Sequence, residues 1–244
     1  MKVFNSQRFK NLPDAILFDT DNTLYDYEVA HMAAYKAVSN KVLDLFEIKQ
    51  SDFDEVFIEA RDQVKNRLDG TAASHNRLLY FQRMLEIVGL GSQVLVALDL
   101  EQTYWRTFLN NALLHDGLIE FLEKCRNLSI PMILITDLTA QIQFRKIVYF
   151  DLDSFFDYIV TSEEAGSDKP SELPFKIALE KIKFTGNNIW MIGDHIECDM
   201  VGAKKSIDAT TLLFKKSNER ELNNESIDAS FSQYTKLLEF IEKI

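Results

Sequence analysis

Cysteine is scarce in this chain, with only Cys125 and Cys198 among 244 residues. That argues against a disulfide framework and makes a reducing compartment the expectation, with both thiols read as small buried apolar side chains. Histidine is nearly as scarce. His31, His75, His115 and His195 are scattered without ligand spacing and the two cysteines lie far apart, so zinc is not expected. Positive charge is also in deficit, with 27 Lys and Arg against 38 Asp and Glu and a formal net charge of −11. Such a balance argues against nonspecific binding to nucleic acid or to an anionic membrane surface. An anionic substrate would need local positive charge from a metal or from selected Lys and Arg side chains. No apolar run approaches the roughly 20 residues that span a bilayer. The N-terminus shows no charged segment followed by an apolar stretch. A cytoplasmic location is the expectation, with no membrane partner.

What the chain does have is enough apolar residues, 46%, to build a sizeable core. The run Ala15-Ile16-Leu17 reads as a buried strand, and it leads straight into Phe18-Asp19-Thr20-Asp21-Asn22-Thr23-Leu24. Aspartate is a poor strand residue and unpaired buried charge is costly, so Asp19 and Asp21 mark the strand's polar end. The theme recurs at Pro131–Ile135 before Thr136-Asp137, at Tyr158–Val160, at Asn188–Ile192 before Gly193-Asp194, and at Ala209–Phe214. Helical spacing separates these runs: Leu118, Phe121, Leu122 and Cys125; Ile142, Ile147 and Phe150; Phe175, Leu179 and Ile182. The stretch from Gln233 to Lys243 is predicted to be a further helix. Alternating strands and helices predict an α/β fold with a parallel sheet. Residues 27–114 differ, because apolar residues recur there only at helical spacing, with breaks at Asp69-Gly70 and Gly89-Leu90-Gly91. They read as an all-helical insertion after the first strand.

Parallel strands would bring their polar ends to one edge, where ligands bind in open α/β sheets. Asp19, Asp21, Thr136, Lys169, Asp194 and Asp199 would meet there. Oxygen donors in that number suit Mg²⁺. One carboxylate could attack phosphorus, with Mg²⁺ and a lysine balancing the phosphoryl charge. A second could protonate the leaving oxygen. Side chains two residues apart share one side of an extended chain, so Asp19 and Asp21 are suitably spaced for nucleophile and acid.

Taken in order, these residues resemble the haloacid dehalogenase-like hydrolase superfamily, in its phosphatase branch. Asp19-Thr20-Asp21-Asn22-Thr23 is similar to the first motif, D-x-D-x-T; Thr136 matches the second, Lys169 in Asp-Lys-Pro the third, and Gly193-Asp194 with Asp199 the fourth. The resemblance covers nearly the whole chain. It implies a Rossmann-like parallel sheet flanked by helices, formed by residues 1–26 and 115–244, with a helical C1-type cap at 27–114. It further implies Asp19 as nucleophile and Mg²⁺ ligand, and Asp21 as general acid/base with its backbone carbonyl on the metal. Thr136 and Lys169 would bind the phosphoryl group, Asp194 would ligate Mg²⁺, and Asp199 would support the metal through water or Lys169. Asp137 stands where related phosphatases often have Asn. Its backbone N–H is expected to bind phosphate, with the side chain turned away, for instance to cap the following helix. His195 reads as an exposed loop histidine.

The expected activity is Mg²⁺-dependent hydrolysis of a small phosphorylated metabolite, preferably a sugar phosphate or sugar-acid phosphate, similar to acylneuraminate-9-phosphate phosphatases. Asp21 argues against a dehalogenase, because a halide leaving group needs no proton. The alternatives are a phosphotransferase resembling the β-phosphoglucomutase branch, and a non-catalytic binding module. Specificity is expected from Tyr25 and Tyr27 facing the cleft, and from His75 and Arg77, whose guanidinium could pair with a second anionic group of the substrate.

Overall fold

The structure, a computed structural model, describes residues 1–215 and 225–244. Among these, seven strands form one sheet: β1 (Lys2–Val3), β2 (Ala15–Phe18), β3 (Met132–Thr136), β4 (Tyr158–Thr161), β5 (Ile189–Gly193), β6 (Thr210–Phe214) and β7 (Ala229–Phe231). Their order is β1-β7-β6-β5-β2-β3-β4. Every pairing is parallel except β1 with β7. Phe18 at the end of β2 is level with Leu134 of β3 on one side and Ile192 of β5 on the other. The residues that follow these strands therefore emerge side by side at the carboxyl edge.

The chain divides into two compact units, Met1–Asp26 with Leu113–Ile244, and Tyr27–Ala112. The second unit contains α1 (Tyr27–Phe46), α2 (Gln50–Arg67), α3 (Arg77–Ile87) and α4 (Val94–Asn111). In α1, the buried residues Ala30, Ala34, Val38 and Val42 recur every fourth position, which makes one apolar stripe. That helix packs on α4, and α3 packs on both α2 and α4. Asn76 caps α3 by accepting the Leu78 N–H at 2.9 Å. Gly89 and Gly91 adopt φ of +79° and +64°, where a side chain would be strained, so α3 ends there.

In the sheet-bearing unit, α5 (Leu118–Asn127), α6 (Ala140–Tyr149), α7 (Ser162–Ala165), α8 (Glu172–Lys181), α9 (Gly202–Ile207) and α10 (Tyr234–Ile241) flank the strands. Alternate strand residues point to opposite faces. Ala15 and Leu17 join Ile133, Ile135, Met191, Phe175 and Ala203 in one core layer. From the other face, Phe18 meets the rings of Phe121 and Phe156 edge-on. Cover on both faces explains why these strands read as continuous apolar runs. Cys125 is buried, as expected, whereas Cys198 is only partly so.

Candidate active site

Asp19 is the first residue beyond β2. Its N–H still donates to the Ile192 carbonyl at 2.9 Å, so the sheet fixes its backbone. The side chain is gripped at both oxygens: the Thr23 hydroxyl donates to Oδ2 at 2.9 Å, and Lys169 Nζ donates to Oδ1 at 2.8 Å. Lys169 also donates to Asp199 Oδ1 at 2.6 Å and to the Ile135 carbonyl at 3.2 Å. Asp199 sits in a π-helical turn, Ile196–Val201, and accepts the His195 N–H. Such wide turns are frequent at functional sites. Ligand atoms of Asp19, Asp194 and Asp199 all lie within 4.8 Å of one another.

Of these three carboxylates Lys169 pairs with two, Asp19 and Asp199, and the electrostatics show the excess. Burial pushes Asp19 well above the usual carboxylate range, Lys169 draws it down, and Asp199 and Asp194 push it up again. Burial and then Asp199 push Asp194 up to about 7. Burial alone would lower Lys169, but Asp19, Asp199 and Asp137 outweigh it and hold it charged. Counting three negative groups against one positive leaves a surplus of two negative charges when all are ionised. A hard divalent cation fits both that surplus and the all-oxygen donor set.

Beside this cluster, Thr136 ends β3 with its hydroxyl 2.7 Å from that of Thr20. Gln143 of α6 donates to the same Thr136 oxygen at 2.6 Å. If Thr20 is the donor in their contact, both acceptor positions of Thr136 are filled, and its O–H is left to donate to a ligand. Asp137 does not cap α6, where the Ala140 N–H bonds Glu163 instead. Its carboxylate accepts the Lys169 N–H at 3.0 Å and so pins the loop that carries the lysine. His195 is exposed, and its Nδ1 accepts the Cys198 N–H.

Asp21 lies outside the three-carboxylate group. Lys146 of α6 donates to its Oδ1 at 2.8 Å and to its Oδ2 at 3.1 Å. The Tyr25 hydroxyl donates to Oδ1 as well. Tyr25 is thus a correction to the expectation of a cleft-facing side chain: it is 1% exposed and engaged with Asp21. Gln143 and Lys146 were missed in the sequence. Their signal was available, because both fall beside Ile142 and Ile147 on the buried stripe of α6. Polar residues at apolar stripe positions point to a polar partner underneath.

Within the helical unit, Arg77 is no solvated surface arginine. Its guanidinium donates to the Tyr27 hydroxyl and the His75 carbonyl. It lies 5.3 Å from the ring centroids of Tyr80 and Tyr104 and 5.7 Å from that of Trp105. Tyr27 stacks on His31, whose Nδ1 is 2.7 Å from the Tyr104 hydroxyl.

Known proteins resemble this chain over most of its length. Residues 13–206 match the family model described as haloacid dehalogenase-like hydrolase. The chain is 33% identical over 220 residues to a ribulose-1,5-bisphosphate 5-phosphatase of Halopiger xanaduensis, covering 90% of this chain and 91% of the relative. It is 27% identical over 201 residues to a glyceraldehyde 3-phosphate phosphatase of Pyrococcus abyssi, covering 82% and 80%. A crystal structure of the HAD-hydrolase YfnB of Bacillus subtilis, bound to magnesium, shares the fold with a TM-score of 0.72 at 18% identity, covering 95% of this chain and all of that one.

Proposed function

Because the chain belongs to the haloacid dehalogenase-like hydrolases and is a phosphatase of that family, we propose that it hydrolyses a small sugar phosphate through an aspartyl-phosphate on Asp19. The observation that carries this reading is the group of Asp19, Asp194 and Asp199 at the carboxyl edge of the sheet, in which the buried Asp19 and Asp199 pair with Lys169. Asp19 is held at both oxygens, which fixes its orientation before substrate arrives. In the first step an Asp19 oxygen bonds phosphorus, the bond from phosphorus to the sugar oxygen breaks, and Asp21 gives that oxygen a proton. In the second, water attacks phosphorus, the bond to Asp19 breaks, and the carboxylate of Asp21 takes the proton from the water. Thr136 and Lys169 bind the phosphoryl oxygens. Mg²⁺, held by Asp19, Asp194 and Asp199 with the Asp21 backbone carbonyl, would supply positive charge against the phosphoryl group. The Tyr27–Ala112 unit serves as the cap that sets specificity.

The names of the relatives support a sugar phosphate over a sugar-acid phosphate. A suitable panel is glyceraldehyde 3-phosphate, ribulose 1,5-bisphosphate, ribose 5-phosphate and p-nitrophenyl phosphate, each assayed with Mg²⁺ for release of inorganic phosphate. Asp19→Asn is expected to abolish release from every member, and retained turnover overturns the assignment of the nucleophile. An isomeric sugar phosphate formed without phosphate release would make the protein a phosphotransferase instead.

A further inference from the structure

We infer that Lys146 is a positioning residue for the water-attack step, holding the Asp21 carboxylate in place to receive the proton of the attacking water. The inference rests on the proposed roles of Asp19 and Asp21 and adds a residue outside the four motifs.

Lys146 lies on α6, remote in sequence from the loop after β2, and its side chain is only 2% exposed. Placing an ammonium there is costly unless it is paired. Its Nζ reaches both Asp21 oxygens, at 2.8 and 3.1 Å, and lies 5.8 Å from the ring centroid of Tyr25. Asp21 itself is 32% exposed on its side chain, so one side is clamped while water can reach it. The loop is shaped for this contact. Asn22 takes a left-handed turn with φ of +63°, and the backbones of Asp21 and Tyr25 pair in an isolated bridge. That return brings the Tyr25 hydroxyl onto Asp21 Oδ1. A carboxylate held by two donors from different elements has little rotamer freedom left, which is what an acceptor for a single proton transfer needs.

The two half-reactions separate the roles. When the leaving group is p-nitrophenolate, the first step needs no proton. Asp21 and its clamp then matter only when water attacks phosphorus, the bond to Asp19 breaks and the proton passes to Asp21. Lys146→Met is therefore expected to lower kcat for p-nitrophenyl phosphate about 10- to 100-fold. KM should fall in parallel, leaving kcat/KM within about threefold, because kcat/KM reports only the steps up to aspartyl-phosphate formation. Rapid mixing should show a burst of nitrophenolate close to one equivalent per enzyme. Lys146→Arg, which keeps two donors for the carboxylate, should recover part of kcat and shrink the burst. A loss of kcat/KM in step with kcat, and no burst, overturns the inference, since that is what a merely structural role produces. Asp21→Asn separates this failure from failure of the underlying reading. A burst with Asp21→Asn but none with Lys146→Met rejects Lys146 alone. No burst with Asp21→Asn rejects the base role of Asp21, and Lys146 with it. Should the Met variant not fold, Lys146→Leu, which keeps apolar volume and has no donor for Asp21, must show the same burst or the inference falls.

Discussion

A methyl group at position 193 would stand 2.5 Å from Asp199 Cγ. The same carboxylate is already committed to Lys169 Nζ and to the His195 N–H, and it is 1% exposed. It has no open direction in which to retreat. Gly193→Ala should therefore displace Asp199 and release Lys169 from one of its two carboxylates. The overpacking itself is expected to cost about 1–3 kcal/mol. Thermal or urea unfolding measures that part, and phosphate release at saturating Mg²⁺ measures the other. Activity should fall further than the stability loss accounts for, because the variant that folds still has a misplaced cluster. Full activity in Gly193→Ala would mean that the position of Asp199 is not critical.

Elements carry a different set of constraints. The acidic ends of β2 and β5 were legible in the sequence because charge directly after an apolar run has few explanations. Thr136 and Lys169 were legible only together with them. The partners contributed by α6 are not legible in the sequence from its apolar positions alone, since Ile142, Ile147 and Phe150 are irregularly spaced and do not define a stripe on which Gln143 and Lys146 stand out. Seen with their partners, Gln143 under Thr136 and Lys146 under Asp21 complete one. In the helical unit, helical spacing marks the apolar positions, but it does not show that aromatic side chains of α3 and α4 gather around an arginine. The consequence for α1 is measurable. Burial, then the charges of Arg77 and Arg61, lower His31 to about 4. Between that value and the ordinary value of 6.5 the unfolded chain binds the proton and the folded chain does not. Stability should consequently rise with pH across this window and decline as pH falls from 6.5 toward 4. His31 is partly solvent-screened, so its share should be about 1 kcal/mol at the acid end. His31→Gln should flatten that part of the slope in urea midpoints measured at several pH values. An unchanged slope would show that His31 is as easily protonated in the folded protein as in the unfolded chain.

At the scale of the whole molecule, a chain of net charge −11 concentrates a further excess of negative charge at one buried place. The strand order that creates this place was beyond a sequence reading, because parallel pairing joins β2 to β3 and β5 across long connections and the apolar runs are interchangeable. The two-residue β1 and three-residue β7 at the far edge are too short to show a pattern at all. Once gathered, Asp19, Asp194 and Asp199 repel one another, and Lys169 offsets only part of that repulsion. A divalent cation that binds the folded site and not the unfolded chain must stabilise the fold, by about 2.7 kcal/mol at one hundred times its dissociation constant. For a chain of this size that corresponds to a rise in melting temperature of about 5–10 °C. Asp194 is pushed up to about 7, so below that pH the cation has to displace a proton to gain its ligand. The Mg²⁺-induced rise should accordingly be larger at pH 8 than at pH 6, and chelation should reverse it. Asp194→Asn removes both a charge and a repulsion. It should raise the melting temperature without Mg²⁺ while abolishing most of the Mg²⁺-dependent increment. Differential scanning fluorimetry across pH, with and without Mg²⁺, reads all of these together, and an increment that survives Asp194→Asn would place the cation elsewhere on the molecule.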